Sequence, residues 1–581
     1  MKELLRLLPY MKKYRAMIIL GLVFVTISNV CSTLAPRFVG RTIDMIKTGG
    51  FSEQTVALNI GIILLLTLGS GAFMFLTRRR IMVASRLIEY ELRNDFLDAL
   101  QRQKVSFFHK NSTGSLMAHA TNDIAASREF MGPAVMFSAN SITMFLLAMF
   151  FMLSLDPMIT LLALIPLPLI AAMTYFLGRK VHVAFRDVQE QFADLTAQAQ
   201  ESFSGIKVVK AYLREAFEQK HFSGMSREYL DKNLKLAKVQ TLMVPAITIL
   251  IGTSLLVVLS YGGLKVIEGE ATLGDLTQFF IYLNLLIWPV AAIGWITNLL
   301  QRASASAGRL GKIFDSVEHL ERDKKEDESL NIKGEIEFDN VHLRYDEGQQ
   351  EALSGVKFKI PAGSSLGIVG SVGSGKSTIG NLIAGLYSPT KGRISIDGNN
   401  IDEIPLKNLR DSVGMVPQEP FLFSNSIEEN IKFGKQDATE EEIIEAAKAA
   451  QFHDEVMSFP DGYKTELGER GITLSGGQMQ RLALARAIIR NPKILILDDA
   501  FSSVDSGTEE KIRNNLQDII QKRTTIIISH RISTVMDAAL IIVLDAGRII
   551  ESGAHDELMR RNGRYAEMHE HQQMEEEIEE M

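Results

Sequence analysis

Six long apolar segments in the first 300 residues constrain the fold more than any other feature of this chain. Each has roughly the 20-residue length that an α-helix needs to cross a bilayer. The segments are Ala16–Ala35, Val56–Leu76, Ala134–Leu155, Met158–Leu177, Met243–Tyr261 and Thr277–Leu299. Buried helices of a large soluble domain are the weaker alternative, because six such runs in succession are rare in soluble proteins. We therefore predict an all-α transmembrane domain of six helices.

Basic residues orient these helices, since Lys and Arg concentrate on the cytoplasmic side of membrane proteins. They precede the first segment and follow the second, at Lys2, Arg6, Lys12, Lys13, Arg15, Arg78, Arg79 and Arg80. The N-terminus and two long polar stretches, after the second and fourth segments, are therefore expected inside. The turn at Asp156-Pro157 is expected outside and is very short.

Each predicted inner hairpin is interrupted near its tip. The first is broken at Asn111–Gly114, with a short helix predicted at Ser115–Asn122, and the second is broken at Ser204-Gly205. Short amphipathic helices in such places are suited to docking on another domain. An ordinary helix-turn-helix without a partner is the alternative.

The composition changes after Gln301. A charge run within residues 311–334 is typical of a solvated linker. From Ile336 onward short β-branched strands alternate with helices, which favours an α/β domain with a largely parallel sheet. We predict a transmembrane domain at residues 1–310, a linker at 311–334, an α/β domain at 335–570 and an acidic tail without specific chemistry at 571–581.

Charge and cysteine content exclude some functions. The formal net charge is −7, which gives no support for a nucleic-acid partner. The chain has one cysteine, Cys31, so it can form no internal disulfide and no cysteine-based metal site.

The stretch GSVGSGKST at residues 370–378 follows a predicted strand and precedes a helix, the setting in which this pattern forms a phosphate-binding loop. Glycines let successive backbone N–H groups face phosphate oxygens, and the helix N-terminus adds positive charge. We expect Lys376 to reach the β- and γ-phosphates and Ser377 to ligate Mg²⁺. The predicted loop comprises Gly370, Ser371, Val372, Gly373, Ser374, Gly375, Lys376, Ser377 and Thr378.

The apolar strand ILIL ends in two adjacent carboxylates, Asp498 and Asp499. Ligands of open α/β sheets bind at the carboxyl ends of strands, and Mg²⁺ prefers oxygen ligands. Asp498 is therefore expected to hold the metal. The next residue is placed to orient or deprotonate an attacking water.

The segment LSGGQ at residues 474–478 lies between these two motifs. With it, essentially the whole chain resembles an ABC transporter half, in which six membrane spans precede one cytosolic P-loop ATPase domain. The remaining family motifs follow in order. They are the adenine-stacking Tyr345, the Q-loop Gln418, the exporter loop TELGERG at 465–471, the D-loop Ser502–Asp505 and the switch histidine His530.

The resemblance implies ATP and Mg²⁺ as cofactors and roles for these residues. Asp499, His530 and Gln418 are expected at the reacting phosphate, and Gln418 also joins Ser377 and Asp498 around the metal. In this family two ATPase domains meet head to tail, so a partner is implied. Its ATP would contact signature residues Ser475, Gly476, Gly477 and Gln478 of this chain, and Asp505 is also expected at the nucleotide. Alone, His530 is compatible with a strand-end histidine and Tyr345 with a core aromatic.

Asp499 departs from the family pattern, in which a glutamate follows the strand aspartate. The carboxylate is one methylene shorter and would sit about 1 Å back, while a base must lie about 2.6–3.2 Å from its water. A misplacement of that size can cost on the order of 10²-fold in rate. ATP binding without brisk hydrolysis is the expected behaviour.

The departure is similar to that in heterodimeric bacterial ABC exporters, which have one competent and one impaired site. We predict that this chain is the impaired half and that a second half-transporter supplies the glutamate. The alternatives are a homodimeric exporter with a slow aspartate base and a membrane protein that uses ATP to regulate a partner.

The expected setting is the cytoplasmic membrane of a bacterium, with many passes and both termini in the cytoplasm. Apolar spans with scattered polar residues suit amphipathic cargo such as drugs or lipids. The same residues also suit helix–helix packing, and they include Asn29, Asn140, Ser141, Asn284 and Trp288.

Overall fold

A computed structural model describes residues 2–49, 52–317, 330–346, 350–468, 471, 474–502, 504, 507–509, 511, 512, 515 and 522–579. The chain divides into two compact units. The helical unit consists of Met1–Arg102 and Thr113–Val317, and the sheet unit consists of Gln103–Ser112 and Glu318–Met581. A helical region followed by a sheet-containing domain is the architecture predicted from the sequence.

The first part of the chain is helical. After a 3₁₀ helix at Lys2–Leu7 come α1 (Leu8–Lys13), α2 (Arg15–Thr48), α3 (Glu53–Gln101), α4 (Val105–Lys110), α5 (Thr113–Ala118), α6 (Ile124–Glu129), α7 (Val135–Leu155), α8 (Pro157–Leu164), α9 (Pro166–Ser204), α10 (Ile206–Ala211), α11 (Glu215–Thr241), α12 (Met243–Val257), α13 (Gly263–Glu268) and α14 (Leu273–Asp315). Short π-helical turns at His119–Asp123, Phe130–Ala134 and Val258–Gly262 make three of these junctions continuous.

Five helical stretches of the described chain are long and apolar enough to cross a bilayer, namely Arg15–Thr48, Glu53–Gln101, Thr113–Leu155, Ile251–Glu268 and Leu273–Asp315. They overlap five of the six segments predicted as spans. The remaining segment, Met158–Leu177, is divided between α8 and α9. Pro166, which has no N–H to continue a helix, begins α9, and Ile165 before it closes a tighter turn onto Leu162.

Buried polar contacts fix the packing of the helical unit. The fully buried Tyr282 on α14 donates its hydroxyl hydrogen to the carbonyl oxygen of Thr33 on α2 at 2.9 Å. Its ring stacks on that of Phe151 on α7, with the centroids 5.8 Å apart. Three helices that are distant in sequence therefore meet at one side chain.

The hairpin tips differ in part from the expectation. In the first hairpin the short helix is α4, which precedes Asn111 and belongs to the sheet unit, and Thr113 already begins α5. The stretch Ser115–Asn122 is helical as predicted, but it runs from α5 through a π-helical turn toward α6 and is not a separate short helix. In the second hairpin the helix does stop at Ser204, and α10 follows after Gly205.

The described sheet unit contains β1 (Ile336–Leu343), β2 (Leu353–Ile360), β3 (Ser365–Gly370), β4 (Lys391–Ile396), β5 (Asn399–Asn400), β6 (Val413–Val416), β7 (Ile494–Asp498), β8 (Thr524–Ile528), β9 (Leu540–Asp545) and β10 (Arg548–Gly553). Its helices, besides α4 and a 3₁₀ turn at Gly462–Lys464, are α15 (Lys376–Ile383), α16 (Leu406–Ser412), α17 (Ile427–Lys432), α18 (Glu440–Ala449), α19 (His453–Ser458), α20 (Gly476–Ile488), α21 (Ile532–Val535), α22 (His555–Arg561) and α23 (Arg564–Glu579).

The strands form two sheets. The larger has the order β10-β9-β3-β8-β7-β6 and is parallel except at β10, whereas β2-β1-β4-β5 is antiparallel. The prediction of a largely parallel sheet therefore holds for the larger sheet and is wrong for β1 and β4.

Strand β7 shows why the active-site edge can be located from sequence. All five of its residues are buried, and successive side chains belong to different cores: Leu495 and Leu497 to one, Ile494 and Ile496 to the other. The second core also contains the apolar face of α15. Because side chains alternate along a strand, Asp498 is directed to the same face as Ile496, toward α15.

Candidate active site

The phosphate-loop segment connects β3 to α15 and depends on glycine. Gly375 has φ = 97°, a left-handed conformation, and a Cβ there would lie 2.5 Å from the carbonyl oxygen of Ala352. Only a residue without a side chain is compatible with both conditions. The turn therefore brings Lys376, the next residue, to the first position of α15.

Lys376 is buried inside this turn. Its Nζ donates hydrogen bonds to the carbonyl oxygens of Gly370 at 2.8 Å and Ser371 at 2.9 Å. Burial lowers the pKa of Lys376, because the ammonium is removed from water. The carboxylates of Asp499 and Asp498 partly offset that effect.

Ser377 and Asp498 bring two oxygens together at the carboxyl end of the sheet. The hydroxyl of Ser377 donates to Oδ1 of Asp498 at 3.0 Å. Burial raises the pKa of Asp498, with the hydrogen bond from Ser377 opposing it. A hydroxyl and a carboxylate at hydrogen-bond distance match the oxygen ligands that Mg²⁺ prefers, so the residues present fit the metal that the sequence predicted.

Asp499 is fixed by its backbone. Its φ is 49°, a left-handed conformation that Asp tolerates better than most residues. Its N–H donates to the carbonyl oxygen of Ile528 at 2.8 Å. Its own carbonyl oxygen accepts from Nε2 of Gln480 at 3.4 Å. The main chain at this position therefore has little freedom to move the carboxylate forward.

One cavity of about 300 Å³ collects most of the predicted site residues. It is lined by Tyr345, Ala352, Val372, Gly373, Ser374, Gly375, Lys376, Ser377, Thr378, Gln418, Asp498, Asp499, Ile528 and His530. The phosphate loop, both carboxylates, the Q-loop glutamine and the switch histidine thus face the same space. Their residue types can bind a Mg²⁺-complexed nucleotide and hold a water beside its terminal phosphate.

His530 lies at the wall of this cavity just after β8. Burial lowers its pKa below the ordinary value of 6.5, and the nearby Lys376 ammonium adds to the effect. The imidazole is therefore neutral at pH 7 and can accept a hydrogen bond.

Tyr345 lies above the start of α15. Its hydroxyl is 2.9 Å from the hydroxyl of Thr378, and its ring meets that of Tyr387 edge to face, with the centroids 5.0 Å apart. Tyr345 is 37% exposed and lines the cavity, a position compatible with stacking on a planar group.

The signature segment lies elsewhere. Ser475 caps α20, accepting from the N–H of Gln478 at 3.3 Å while its own N–H donates to the Gln478 side chain at 2.8 Å. Its described residues are not among those lining the cavity. Ser475 and Gly476 are exposed at the start of the helix.

Four predicted features lie partly outside the described residues, among them the linker, of which residues 318–329 are not described, and the acidic tail, of which residues 580 and 581 are not described. Asp505 is not described, nor are Ser503 in the D-loop segment and Glu469 and Arg470 in the TELGERG segment. Gln480, which was not predicted as a site residue, is buried beside the site. Gln480 on α20 donates to the Ser502 hydroxyl at 2.9 Å as well as to the carbonyl oxygen of Asp499.

Comparisons with known proteins agree with this arrangement. Residues 18–290 match the family described as ABC transporter transmembrane region, and residues 353–502 match the family described as ABC transporter. The chain is 37% identical over 567 residues to the probable multidrug resistance ABC transporter ATP-binding/permease protein YheI of Bacillus subtilis, covering 97% of each chain.

More distant relatives match over similar lengths. The ATP-dependent lipid A-core flippase of Syntrophus aciditrophicus is 32% identical over 573 residues, 99% of this chain and 95% of the flippase. A solved structure of a bacterial Atm1-family ABC exporter with ATP bound superposes with a TM-score of 0.79 at 28% identity, covering 97% of this chain and 98% of that one.

Proposed function

Because the chain belongs to the ABC transporter family and is an exporter-type half-transporter, we propose that it forms a heterodimer in which its own ATP site hydrolyses slowly. As a member of the family it is a multi-pass membrane protein that binds ATP with Mg²⁺ and couples ATP hydrolysis to export. Two such halves act together in the bilayer. The proposal concerns whether this half-transporter carries the competent or the impaired ATP site of the dimer.

Asp499 carries the proposal. Its main chain is held by Ile528 and Gln480, so the missing methylene is not compensated by the backbone. Mg²⁺, when bound, neutralises phosphate charge. The described residues that would hold it and the phosphates, Ser377, Asp498 and Lys376, are of the expected types. Tight nucleotide binding with a poorly placed water-orienting carboxylate follows from this combination.

The intact signature supports a partner that is itself competent. Ser475 and Gly476 stand exposed at the N-terminus of α20, where backbone N–H groups are suited to an anionic ligand. In a head-to-tail dimer they would complete the phosphate site of the other chain. The signature segment of this chain would then contribute to ATP hydrolysis at the site of its partner.

Exposed apolar surfaces are also consistent with a second chain. On α10 and the turn after it none of the described residues is buried, and Tyr212 and Leu213 are 75% and 83% exposed. On the sheet unit, Phe421, Phe423 and Phe433 form an exposed aromatic group. Such patches are typical of protein–protein interfaces.

An aromatic and polar face of α14 supports amphipathic cargo, drugs or lipids. Asn284, Trp288 and Trp295 recur at helical spacing and are exposed. The ring centroid of Phe137 on α7 lies 6.4 Å from that of Trp288 and 5.0 Å from that of Trp295. Asn29, in contrast, donates to Thr143 at 2.6 Å and to the carbonyl oxygen of Asn140 at 3.1 Å, so it serves helix packing.

The test compares the purified chain alone with the chain co-expressed with a candidate second half-transporter from the same organism that carries Glu after its strand aspartate. ATP-dependent accumulation of a fluorescent amphiphile in inverted bacterial membrane vesicles is expected for the pair only. Full transport-coupled ATPase activity of a stable dimer of this chain alone would establish a homodimer. ATP binding by the pair without accumulation of any amphiphile would favour a regulator. Inward-facing termini would be checked by protease access in the same vesicles.

A further inference from the structure

A side chain from the C-terminal helix holds the loop that carries His530. Gln572 on α23 donates from Nε2 to the carbonyl oxygen of His530 at 2.6 Å. Its Oε1 accepts from the N–H of Ile532 at 2.8 Å. The two bonds enclose a single residue, Arg531, and we call them the Gln572 bridge. One primary amide therefore fixes both peptide groups that follow the switch histidine.

The start of α23 is itself firmly attached to the sheet unit. Tyr565 is fully buried in the core, and its hydroxyl is 2.8 Å from Nδ1 of His555. The carboxylate of Glu551 on β10 accepts from the backbone N–H groups of Arg564 at 2.6 Å and Tyr565 at 3.1 Å. Gln572 lies seven residues after Tyr565, so both side chains are on the same face of α23. The bridge is thus presented from a rigid support.

Among the described residues, the backbone hydrogen bonds between this loop and the sheet extend as far as Ser529. The N–H of Ser529 donates to the carbonyl oxygen of Ile368 on β3 at 3.2 Å, and the Ser529 hydroxyl accepts from the N–H of Arg531 at 3.0 Å. At the next two peptide groups the Gln572 bridge adds its two hydrogen bonds, beside an ion pair between the side chains of Arg531 and Glu509 at 3.3 Å. Because a rotation of the peptide after His530 changes the direction of the imidazole, the bridge restricts where the ring lies in the cavity.

We propose that Gln572 is a positioning residue for ATP hydrolysis at this chain's site, acting through His530, and that α23 is thereby a working part of the ATPase site. This inference does not depend on whether the partner is a second type of chain. It also gives a function to Gln572, which lies in the segment predicted from the sequence to be an acidic tail without specific chemistry.

The experiment uses the full-length chain with its co-purified partner and the variants Gln572→Ala and Gln572→Asn, the latter one methylene shorter. Gln573→Ala, at the exposed neighbouring position on α23, is the matched control. Carbethoxylation of His530 by diethyl pyrocarbonate is followed by peptide mass spectrometry, with His453 as the internal reference. Both Gln572 variants should label His530 about threefold faster or more, a fold-change equivalent to the loss of one ordinary hydrogen bond. Gln573→Ala should label like the parent.

Hydrolysis is measured in the same proteins and in versions that carry Asp499→Glu, each paired with a partner whose own strand-end glutamate is changed to glutamine, so that neither a slow site nor turnover at the partner's site masks the effect. The kcat for ATP should fall about 3–10-fold in the Gln572 variants, less than the full effect of a ~1 Å displacement, with KM unchanged. In the His530→Ala background, Gln572→Ala should cause no further loss. Unchanged labelling of His530, or a loss of activity that persists in the His530→Ala background, overturns the proposal. Failure of Asp499→Glu to raise turnover would bear on the impaired-site proposal alone.

Discussion

The backbone N–H of Asp499 donates a hydrogen bond to the carbonyl oxygen of Ile528 at 2.8 Å, which fixes the residue after β7 to the neighbouring strand. Since the main chain also has a left-handed φ of 49° here, the reach of the carboxylate is set by the length of its side chain. We therefore expect the rate of hydrolysis at this site to depend on the one methylene group by which Asp differs from Glu.

Asp499→Glu is expected to raise ATP turnover at this site by about 10–100-fold, because the longer side chain moves the carboxylate roughly 1 Å toward the attacking water. ATP affinity should change little, because Lys376, Ser377 and Asp498 are untouched. Single-turnover hydrolysis and equilibrium ATP titration measure the two quantities. Asp499→Asn, which has the same length without the charge, is the control and should give no gain. Equal rates for Asp499→Glu and the parent would show that side-chain length does not limit the reaction.

Lys376→Ala is expected to weaken ATP binding by about 10–100-fold, corresponding to the 1.5–3 kcal/mol of hydrogen bonds to a charged group. The melting temperature of the nucleotide-free protein should change little, since relief of the unfavourable burial of the ammonium offsets the loss of its hydrogen bonds to Gly370 and Ser371. Titration with a fluorescent ATP analogue and a thermal melt are the measurements. Lys391→Ala, at an exposed position on β4, is the matched control. Unchanged affinity for ATP in Lys376→Ala would remove Lys376 from the phosphate site.

Alanine substitutions at two glycines of the phosphate loop should distinguish the cost of backbone strain from the cost of a steric clash. Gly373 has φ = 79° and open space around a Cβ, whereas Gly375 has φ = 97° and a Cβ that would meet the carbonyl oxygen of Ala352 at 2.5 Å. Gly373→Ala should lower the free energy of unfolding by about 1–2 kcal/mol. Gly375→Ala should lower the free energy of unfolding by more, as measured by thermal unfolding of the nucleotide-free protein, and should abolish ATP binding, as measured by equilibrium ATP titration. A smaller loss at Gly375 than at Gly373 would contradict the loop geometry.

Acid pH should inhibit the reaction through His530. Its pKa is lowered by burial and by Lys376, so the folded protein favours the neutral ring. Protonation as the pH falls through the lowered pKa removes the acceptor. It also costs folding free energy, since the unfolded chain binds that proton more readily. The hydrolysis rate of the Asp499→Glu protein should be constant from about pH 7 to 8 and decline only at pH values below the ordinary histidine pKa of 6.5. Adding His530→Gln should lower the rate and remove this acidic decline; an identical pH profile in both proteins would assign it to another group.

Much of the architecture could be predicted from local sequence. Strand β7 was predictable because every residue in it is apolar until Asp498, and a parallel strand buried on both faces reads as a continuous hydrophobic run. The phosphate loop was predictable because its glycines, Lys376 and Ser377 are contiguous. Strand β2 (Leu353–Ile360) was not predicted. It contains Lys357 and Lys359, and a strand in which apolar and polar residues alternate is harder to recognise than a continuous apolar run.

The contacts that hold the site together could not be predicted in the same way. The Gln572 bridge joins residues 42 and 40 positions apart, and Gln480 reaches the carbonyl oxygen of Asp499 across 19 positions. Neither glutamine differs in its local pattern from an exposed helical glutamine. The helix at the tip of the first hairpin was also placed too late, because Val105–Lys110 is too short for a clear helical period.

The sequence by itself determined that the chain spans a membrane, that it carries a phosphate loop with a strand-end carboxylate, and that an aspartate stands where a glutamate is usual. Those properties are local, set by side-chain chemistry and by runs of adjacent residues. Only the tertiary structure decided that Asp499 is held from Ile528 and Gln480, that its carboxylate shares one cavity with His530, and that Gln572 fixes the loop of that histidine. Hydrogen bonds between distant segments depend on how strands and helices pack. The residues that packing brings together show no periodic pattern in the sequence from which the contact could be predicted.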